Sequence, residues 1–358
     1  MNTRGLLLCG VLLAVAARAD ESPESGAPAV FRDALSRVAR GLVRIDTVGG
    51  AQPVEGDDTG RAAAGFRVAD GPTTGLVWSA DGLILASSFN FWRDPTLITV
   101  TLSDGRRLVA EQVAQDSATR SVLLRVPARD LQPAQWVERA ALRPGQWALA
   151  AGFGGAAREP ALSVGVVSAL HRVNGLAVQC DTKTSPVNYG GALFDVEGRV
   201  IGLISPMSPG EEATAGVQWY DSGVGFAIPR DVLAPRVEEM SAGRDLRPGL
   251  LGVMLDAAEP VVGETAIQPG APEGIAVAQE PTGPAAVAGL RAGDVIIAID
   301  GAAVRRLADL RRALARKWAG ATVQVQVWRA AATLELSLVL VTAEDAAASQ
   351  PASDATEP

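Results

Sequence analysis

The sequence predicts a mostly β protein, in which a barrel or sandwich of strands is followed by a smaller domain of mixed helices and strands. Its 358 residues exceed the length of one typical domain. Between about residues 42 and 230, short apolar runs alternate with turn signals, a pattern typical of an all-β domain. Near residue 240 the pattern changes to strands combined with one amphipathic helix. We therefore expect domains at residues 29–240 and 241–342.

The first 19 residues have the pattern of a secretory signal peptide. Arg4 precedes an apolar run over 6–17, and residues 17–19 (ARA) form a cleavage signal. The run is shorter than the about 20 residues that cross a bilayer, and the alternative is a short buried helix. The protein is therefore predicted to be periplasmic or secreted, with no membrane insertion after cleavage. Residues 20–28 are predicted to be a polar linker.

Hydrophobic spacing predicts the elements of the first domain. Phe31, Leu35 and Val38 recur at helical spacing and predict a helix from Val30 to Arg40. The Gly- and Asp-rich stretch at 48–65 is predicted to be a loop. Strands are predicted where apolar runs adjoin turn residues, at residues 42–45, 83–85, 97–102 and 200–204.

The second domain is predicted to begin after a linker at residues 240–245. A Pro- and Gly-rich insert at 256–274 precedes a strand, a helix and two alternating strands, at residues 294–299, 307–317, 323–327 and 334–338. The tail, residues 343–358, has four acidic residues and no basic one. Such a segment is predicted to be disordered.

Composition excludes several classes of function. The chain has 32 basic and 40 acidic residues, a net charge of −8, and no basic block, so nucleic acid is not an expected partner. His171 is its single histidine, and Cys9 and Cys180 are its only cysteines. These numbers exclude a His-rich or four-cysteine metal site, and we expect no metal and no cofactor. Loss of Cys9 with the leader would leave no internal disulfide.

Four segments of the first domain resemble the HtrA (Deg) family of trypsin-like serine proteases, in the same order and spacing. They are residues 75–85 (GLVWSADGLIL), 102–125 with its LSDGR and DSATRSVLLR stretches, 179–193 (QCDTKTSPVNYGGAL) and 223–229 (GVGFAIP). The resemblance implies a chymotrypsin-like double β-barrel. It also implies a Ser-His-Asp triad and an oxyanion hole, if the family's catalytic residues are present.

Those catalytic residues are absent. The family's histidine base falls on Phe89, its orienting aspartate on Arg120 and its nucleophilic serine on Tyr189. Val187 falls on the oxyanion-hole glycine, where a β-branched residue resists the positive φ that such a turn often needs. Because this hydrolysis needs a hydroxyl, an imidazole and a carboxylate together, we expect no intact catalytic site.

Other residues could in principle replace the triad. His171 does not fall on the catalytic position and is predicted to lie at a strand end or turn. Lys183 lies two residues from Ser185, and neighbouring loop positions rarely face each other. Cys180 follows an apolar run and is predicted to be a buried structural thiol rather than a nucleophile.

The second domain resembles a PDZ domain of the kind that follows HtrA protease domains. The segments are residues 247–253 (RPGLLGV), 284–301 (PAAVAGLRAGDVIIAIDG) and 307–314 (LADLRRAL). The resemblance implies that loop amides hold a terminal carboxylate while the peptide adds as a strand. Predicted peptide-binding residues are Gly249, Leu250, Leu251, Gly252, Val253, Leu310 and Leu314. The alternative for these leucines is a role in the core alone.

Three functions fit this sequence. The first is an HtrA-like pseudoprotease that binds unfolded polypeptides or protein C-termini, as an adaptor, chaperone or regulator in protein quality control. The second is an active serine endopeptidase, and the third is a structural subunit of a mixed HtrA oligomer. A polypeptide or protein C-terminus is the expected partner, and a homo- or hetero-oligomer with HtrA-like subunits is a compatible assembly. The first hypothesis predicts contact between the rings of Phe89 and Tyr189. It also predicts that Arg120 reaches solvent or pairs with a carboxylate such as Asp181.

Overall fold

The computed structural model has two closed β-barrels followed by a third, smaller sheet. It describes residues 26–49, 72–91, 95–154, 158–186, 188–207, 223–253 and 272–348. The predicted leader at 1–19 lies outside these ranges, as do most of the predicted loop at 48–65 and of the insert at 256–274. The mostly β, double-barrel prediction is confirmed.

The first barrel has six antiparallel strands, of which the third pairs with the sixth, and it is closed by pairing between the first and the fourth. Its strands are β1 (Leu42–Val48), β2 (Thr73–Val77), β3 (Leu83–Ser87), β4 (Leu97–Thr101), β5 (Arg107–Asp116) and β6 (Ser121–Arg125). Every residue of β2 and β3 is buried, because one side of these strands fills the barrel and the other packs against neighbouring elements. Apolar side chains such as Ile45, Ile84 and Leu124 form the barrel core.

The second barrel repeats this six-stranded arrangement. Its strands are β7 (Trp147–Gly152), β8 (Ala161–Arg172), β9 (Ala177–Cys180), β10 (Ala192–Phe194), β11 (Val200–Ile204) and β12 (Gly225–Ile228). β11 has the bounds that the apolar run predicts. His171 lies within β8 near its end.

Two helices pack against the barrels. The first, α1 (Ala27–Val38), begins three residues before the predicted start, and the predicted linker at 20–28 therefore extends too far. Pro28 occupies its first turn, where a missing N–H removes no helical hydrogen bond. The second, α2 (Arg230–Ser241), is absent from the sequence prediction. Pro235 in its interior is a residue that normally ends a helix.

The third unit is an antiparallel sheet with short helices. Its elements are β13 (Ile275–Ala276), α3 (Gly283–Val287), β14 (Val295–Ile299), β15 (Ala302–Ala303), α4 (Leu307–Ala315), β16 (Thr322–Arg329), β17 (Ala332–Val339) and α5 (Ala343–Ala348). The predicted disordered tail is wrong for the part that forms α5, and α4 ends two residues before the predicted bound. None of the described helices is both long and apolar enough to cross a membrane.

A buried ion pair joins the first barrel to α2 and to the third unit. Arg236 Nε lies 2.8 Å from Asp116 Oδ2, and both side chains are 1% exposed. Arg236 Nη2 also donates to the carbonyl of Ala315 at the end of α4 (2.7 Å), and its guanidinium lies 5.9 Å from the ring centre of Trp318. Burial lowers the pKa of Arg236, and Asp116 opposes that shift. The pair therefore bridges three elements.

Asp231 provides a second junction. Its carboxylate lies 2.9 Å from Arg139 Nη2 of the second barrel and 2.8 Å from Arg316 Nη2, which follows α4. Pro235 cannot donate to the Asp231 carbonyl four residues earlier, and Arg316 donates to that carbonyl instead (3.1 Å). The helix thus tolerates its interior proline because a side chain of the third unit satisfies the free carbonyl.

Candidate functional site

The seam between the two barrels brings together the predicted triad positions Phe89 and Tyr189. Their ring centres are 5.4 Å apart at an interplanar angle of 75°, an edge-to-face contact. Tyr189 is buried in the core of the second barrel, and Phe89 packs partly buried against the same cluster. The prediction of ring contact is confirmed. An aromatic pair thus occupies the positions that are predicted for the nucleophile and the base.

Local backbone geometry fixes the positions of the Phe89 and Tyr189 rings. Phe89 lies in a 3-10 turn directly after β3, and its N–H donates to the Ser87 hydroxyl (3.3 Å). Tyr189 donates its N–H to the Ser185 carbonyl (3.1 Å), and its own carbonyl accepts from the Thr73 hydroxyl (3.1 Å). The next residue, Gly190, has φ +82° and a Cβ there would lie 2.2 Å from the Thr74 carbonyl. Only glycine fits this turn.

Arg120, the third predicted triad position, lies in the turn between β5 and β6 with φ 53°, an unusual value for a residue other than glycine. Its carbonyl accepts from the Ser88 N–H (2.8 Å), which places it beside the Phe89 turn. The side chain is half-buried, and burial lowers the pKa of its guanidinium. Of the two predicted alternatives for Arg120, pairing with Asp181 is not observed, and the Asp181 carboxylate accepts from the Val166 N–H (2.5 Å).

Across the described ranges, no carboxylate lies within 4 Å of the Arg120 guanidinium. The remaining prediction for this residue is that it reaches solvent, which agrees with its partial exposure. A cation therefore lies at the position that is predicted for the family's orienting aspartate.

The predicted oxyanion position, Val187, lies outside the described residues, and its role stays a prediction. The next residue, Asn188, holds the loop together through two hydrogen bonds. Its side chain accepts from the Ser185 N–H (2.8 Å) and donates to the Lys183 carbonyl (2.9 Å).

Two alternative catalytic groups are held in structural roles. Cys180 is fully buried, as predicted, and burial raises the pKa of its thiol to about 11. A thiol with that pKa carries almost no thiolate at neutral pH and is a poor nucleophile. His171 Nδ1 lies 3.3 Å from Arg139 Nη1, so this imidazole contacts a guanidinium rather than a nucleophile.

Lys183 and Ser185 show no hydrogen bond between their side chains among the residues that the structure describes. No group of three His, Cys, Asp or Glu side chains in the described ranges could share a metal ion. The residues at the predicted triad positions, Phe89, Arg120 and Tyr189, offer aromatic packing and a positive charge, but no imidazole or carboxylate that accepts a proton from a hydroxyl nucleophile.

The predicted peptide groove lies in the third unit, where most of its residues meet. Leu251 and Leu310 belong to one buried cluster, 4% and 2% exposed, and Val253 and Leu314 pack against it. Leu250 is 39% exposed and exchanges backbone hydrogen bonds with Val341 (2.9 and 3.0 Å).

Glycines let this segment approach its neighbours closely. A Cβ at Gly249 would lie 2.6 Å from the Leu340 side chain, and Gly252 has φ +71°. Because Leu251 and Leu310 are almost fully buried, they contribute mainly to the core, whereas Leu250 offers exposed apolar surface. The chain beyond Val253 is not described again until residue 272.

Comparison with known proteins agrees with this architecture. Residues 73–203 match the family of trypsin-like peptidase domains, and residues 249–340 match the PDZ domain family. A probable periplasmic serine endoprotease DegP-like of Halomonas elongata is 34% identical over 266 residues, 72% of this chain and 53% of the relative. Its Pseudomonas fluorescens counterpart is 32% identical over 264 residues, with the same shares.

The chain is similar to HtrA-type proteases in both of its domains and in their order. It spans about half the length of the curated relatives that it matches. A solved HtrA-type protease, AlgW with a tripeptide, is 25% identical and superposes with a TM-score of 0.64, over 91% of this chain and 99% of that one. The serine endoprotease from Yersinia pestis superposes with a TM-score of 0.59 over 87% of this chain and 97% of that one, at 23% identity, a likeness of fold alone.

Within this HtrA framework, sequence reasoning missed the junction at α2. Arg236 and Asp116 lie 120 positions apart in the chain, and no local pattern pairs them. The one available signal is the run Val232, Leu233, Val237 and Met240, whose side chains are buried. That run lies around Pro235 and so does not predict a helix.

Proposed function

We propose that this chain is an HtrA-family pseudoprotease that binds polypeptides and does not hydrolyse them. The observation that carries the proposal is the edge-to-face pair of Phe89 and Tyr189 at the positions of the base and nucleophile. A phenylalanine ring accepts no proton, and a tyrosine hydroxyl has a pKa near 10 and is a weak nucleophile without a base beside it.

The charge of the seam also supports this proposal. In a serine protease, a buried carboxylate stabilises the imidazolium that forms during catalysis. Arg120 carries the opposite charge at that position, and burial has already lowered its pKa. A positive group there would destabilise an imidazolium even if a histidine were supplied.

The PDZ domain supplies the binding function. A PDZ groove requires backbone amides and an apolar surface rather than reactive side chains. Gly249 packs closely against Leu340 and Gly252 has φ +71°, and Leu250 beside them exposes apolar surface, which supports a binding loop at this position. The AlgW structure is described with a bound tripeptide, which supports a polypeptide ligand here. An oligomer with HtrA-like subunits is a compatible assembly.

The periplasm is the compartment that the comparisons support. Several curated relatives are named as periplasmic endoproteases, and the sequence of residues 1–19 predicts export. These two observations support a periplasmic setting for the proposed role in protein quality control.

Casein cleavage tests the absence of hydrolysis. Wild type and Tyr189→Ala should both release no more fragments than a buffer blank, and neither should label with a fluorophosphonate probe. Inhibitor-sensitive cleavage that Tyr189→Ala lowers would show an active endopeptidase and overturn the proposal.

Peptide binding tests the other half. A peptide with a free, apolar C-terminus should bind with a dissociation constant in the roughly micromolar range, and its C-terminally amidated form should not. Amidation is a sharper test than Leu251→Asp, because Leu251 is nearly buried and its replacement would disrupt the domain. Equal binding of both peptides would show that the groove does not recognise a terminal carboxylate.

A further inference from the structure

We propose a second polypeptide-binding site, a cavity on the barrel domain that takes an acidic, proline-containing segment. The cavity has a volume of about 310 Å³ and is lined by Trp78, Pro133, Ala134, Gln135, Trp136, Arg199 and Arg230. This inference goes beyond the proposed function, because neither the PDZ groove nor the Phe89–Tyr189 pair belongs to the cavity.

Two indole rings form the walls of the cavity. Trp78 and Trp136 meet edge to face, with ring centres 5.5 Å apart at 64°. Both rings are half-buried against the main hydrophobic cluster of the barrels, so each has one side on the core and another side toward the cavity. Large amphipathic rings that are held in place lose little conformational entropy when a ligand packs on them.

The backbone on both sides of the cavity is fixed. Trp78 donates its N–H to the Leu83 carbonyl (2.8 Å), and Trp136 forms a bridge with Val200. Between them, the Ala134 N–H donates to the carbonyl of Val77 (3.0 Å). These bonds tie the segment that joins the two barrels to a strand of each. The cavity is therefore preformed.

Among the described residues that line the cavity, Arg230 has a positive charge without a carboxylate partner. The guanidinium of Arg230 lies 5.8 Å from the Trp78 ring centre, and none of the described carboxylates lies within 4 Å of it. Arg199 is already paired with Asp195 (2.7 Å) and Glu197 (3.3 Å). A carboxylate on the ligand would therefore pair with Arg230, while an apolar ring packs on the indoles.

An extended polypeptide fits these features best. Proline-rich segments in the polyproline II conformation dock into aromatic-lined grooves, because their backbone is already ordered before binding. Pro133, Gln135 and Arg230 at the rim are exposed, so the cavity is open to solvent and a chain can pass across it. The volume lies at the lower end of the about 300–1,000 Å³ typical of ligand sites, enough for a short segment rather than a folded partner.

The position of the cavity separates it from the seam. Trp78 pairs with the beginning of β3, whereas Phe89 follows the end of that strand. β3 and its flanking residues separate the cavity end of this strand from the Phe89 end by roughly 20 Å. A bound segment would not need the vacated triad site.

Fluorescence anisotropy of a fluorescein-GPPEPPG-amide peptide tests the site with the full chain. The amide removes the terminal carboxylate that the PDZ groove would need, so any binding reports on a different site. Arg230→Glu should weaken binding at least about tenfold through charge reversal. Arg107→Glu is the matched control, because Arg107 is an exposed arginine on β5 that does not line the cavity. This variant should bind the peptide within about twofold of the wild-type affinity.

A second peptide with glutamine in place of the glutamate isolates the charge. It should bind wild type about tenfold more weakly, and Arg230→Glu should weaken it no further. Trp78→Phe, which keeps a ring and a similar fold by circular dichroism, should weaken both peptides. Equal binding of the acidic peptide to wild type and Arg230→Glu, or no binding by wild type at all, would overturn the proposal.

Two further measurements separate the possible explanations. Benzoate binding that depends on Arg230, without peptide binding, would show a site for small carboxylates and would contradict a polypeptide ligand. The free C-terminal peptide of the PDZ test should bind Arg230→Glu as it binds wild type. Failure of the cavity proposal is thus distinguishable from failure of the proposed function.

Discussion

The two seams of this molecule are closed by different chemistry. Between the two barrels, the rings of Phe89 and Tyr189 pack edge to face. Where α2 lies between the first barrel and the PDZ domain, a fully buried ion pair joins Arg236 of α2 to Asp116 of that barrel, and Arg236 also donates to the Ala315 carbonyl of the PDZ domain. Apolar rings need only shape and area, whereas a buried charge needs a partner and further hydrogen bonds. The first seam should therefore tolerate substitution better than the second.

Two arginines show the same dependence of a buried charge on its partners. Arg120 is half-buried, and Arg236 is fully buried. Burial lowers the pKa of both guanidiniums, but Asp116 opposes the shift only at Arg236. Arg120 keeps partial exposure, and Arg236 has an ion pair, a backbone acceptor and an aromatic neighbour. Each position shows one of the two ways in which a protein accommodates an arginine.

The largest expected effect comes from breaking the ion pair. Asp116→Ala leaves the Arg236 charge buried without its partner, and such a change destabilises by about 3–5 kcal/mol. Urea unfolding should show a much lower midpoint, and limited proteolysis should cut near the PDZ boundary. The control is Asp130→Ala, which removes an exposed partner of Arg106 and should shift stability by less than about 1 kcal/mol. Similar losses for both variants would contradict the assigned role of the junction.

A smaller effect is expected at the aromatic seam. A double-mutant cycle with Phe89→Leu and Tyr189→Leu should give a coupling free energy of about 0.5–1.5 kcal/mol beyond the single losses. Chemical unfolding of the four proteins measures it. Trp147 and Phe31 form a comparable edge-to-face pair elsewhere (5.5 Å), and their cycle provides a reference. Strict additivity at Phe89 and Tyr189 would mean that their contact contributes nothing specific.

The smallest effect concerns pH. Burial raises the pKa of Cys180 to about 11, above its ordinary value of 9.0. The folded protein therefore holds this proton more tightly than the unfolded chain, and stability falls as pH rises from about 9 toward 11. Cys180→Ala should show a shallower decline in unfolding free energy over that window. Ellman's reagent should also react with native wild type far more slowly than with unfolded protein. Identical pH curves for the two proteins would rule out this linkage.

The elements with strong local signals were predictable from the sequence. The apolar run at Val200–Ile204 predicts β11 with its observed bounds, because a short buried strand between turns needs no distant information. Four motif segments in order predict the double barrel. The same alignment places Phe89 and Tyr189 in contact, and their ring distance agrees.

Only the tertiary structure decided the features that depend on distant partners. Helix α2 contains Pro235, and its freed carbonyl is satisfied by Arg316 from the PDZ domain. Opposite charge favours a pairing of Arg120 with Asp181, but in the fold the Asp181 carboxylate accepts a hydrogen bond from the Val166 N–H of β8. Local propensity and motif order act within short stretches of chain. Ion-pair partners, helix tolerance and the cavity at Trp78 depend on which segments the fold brings together across the chain.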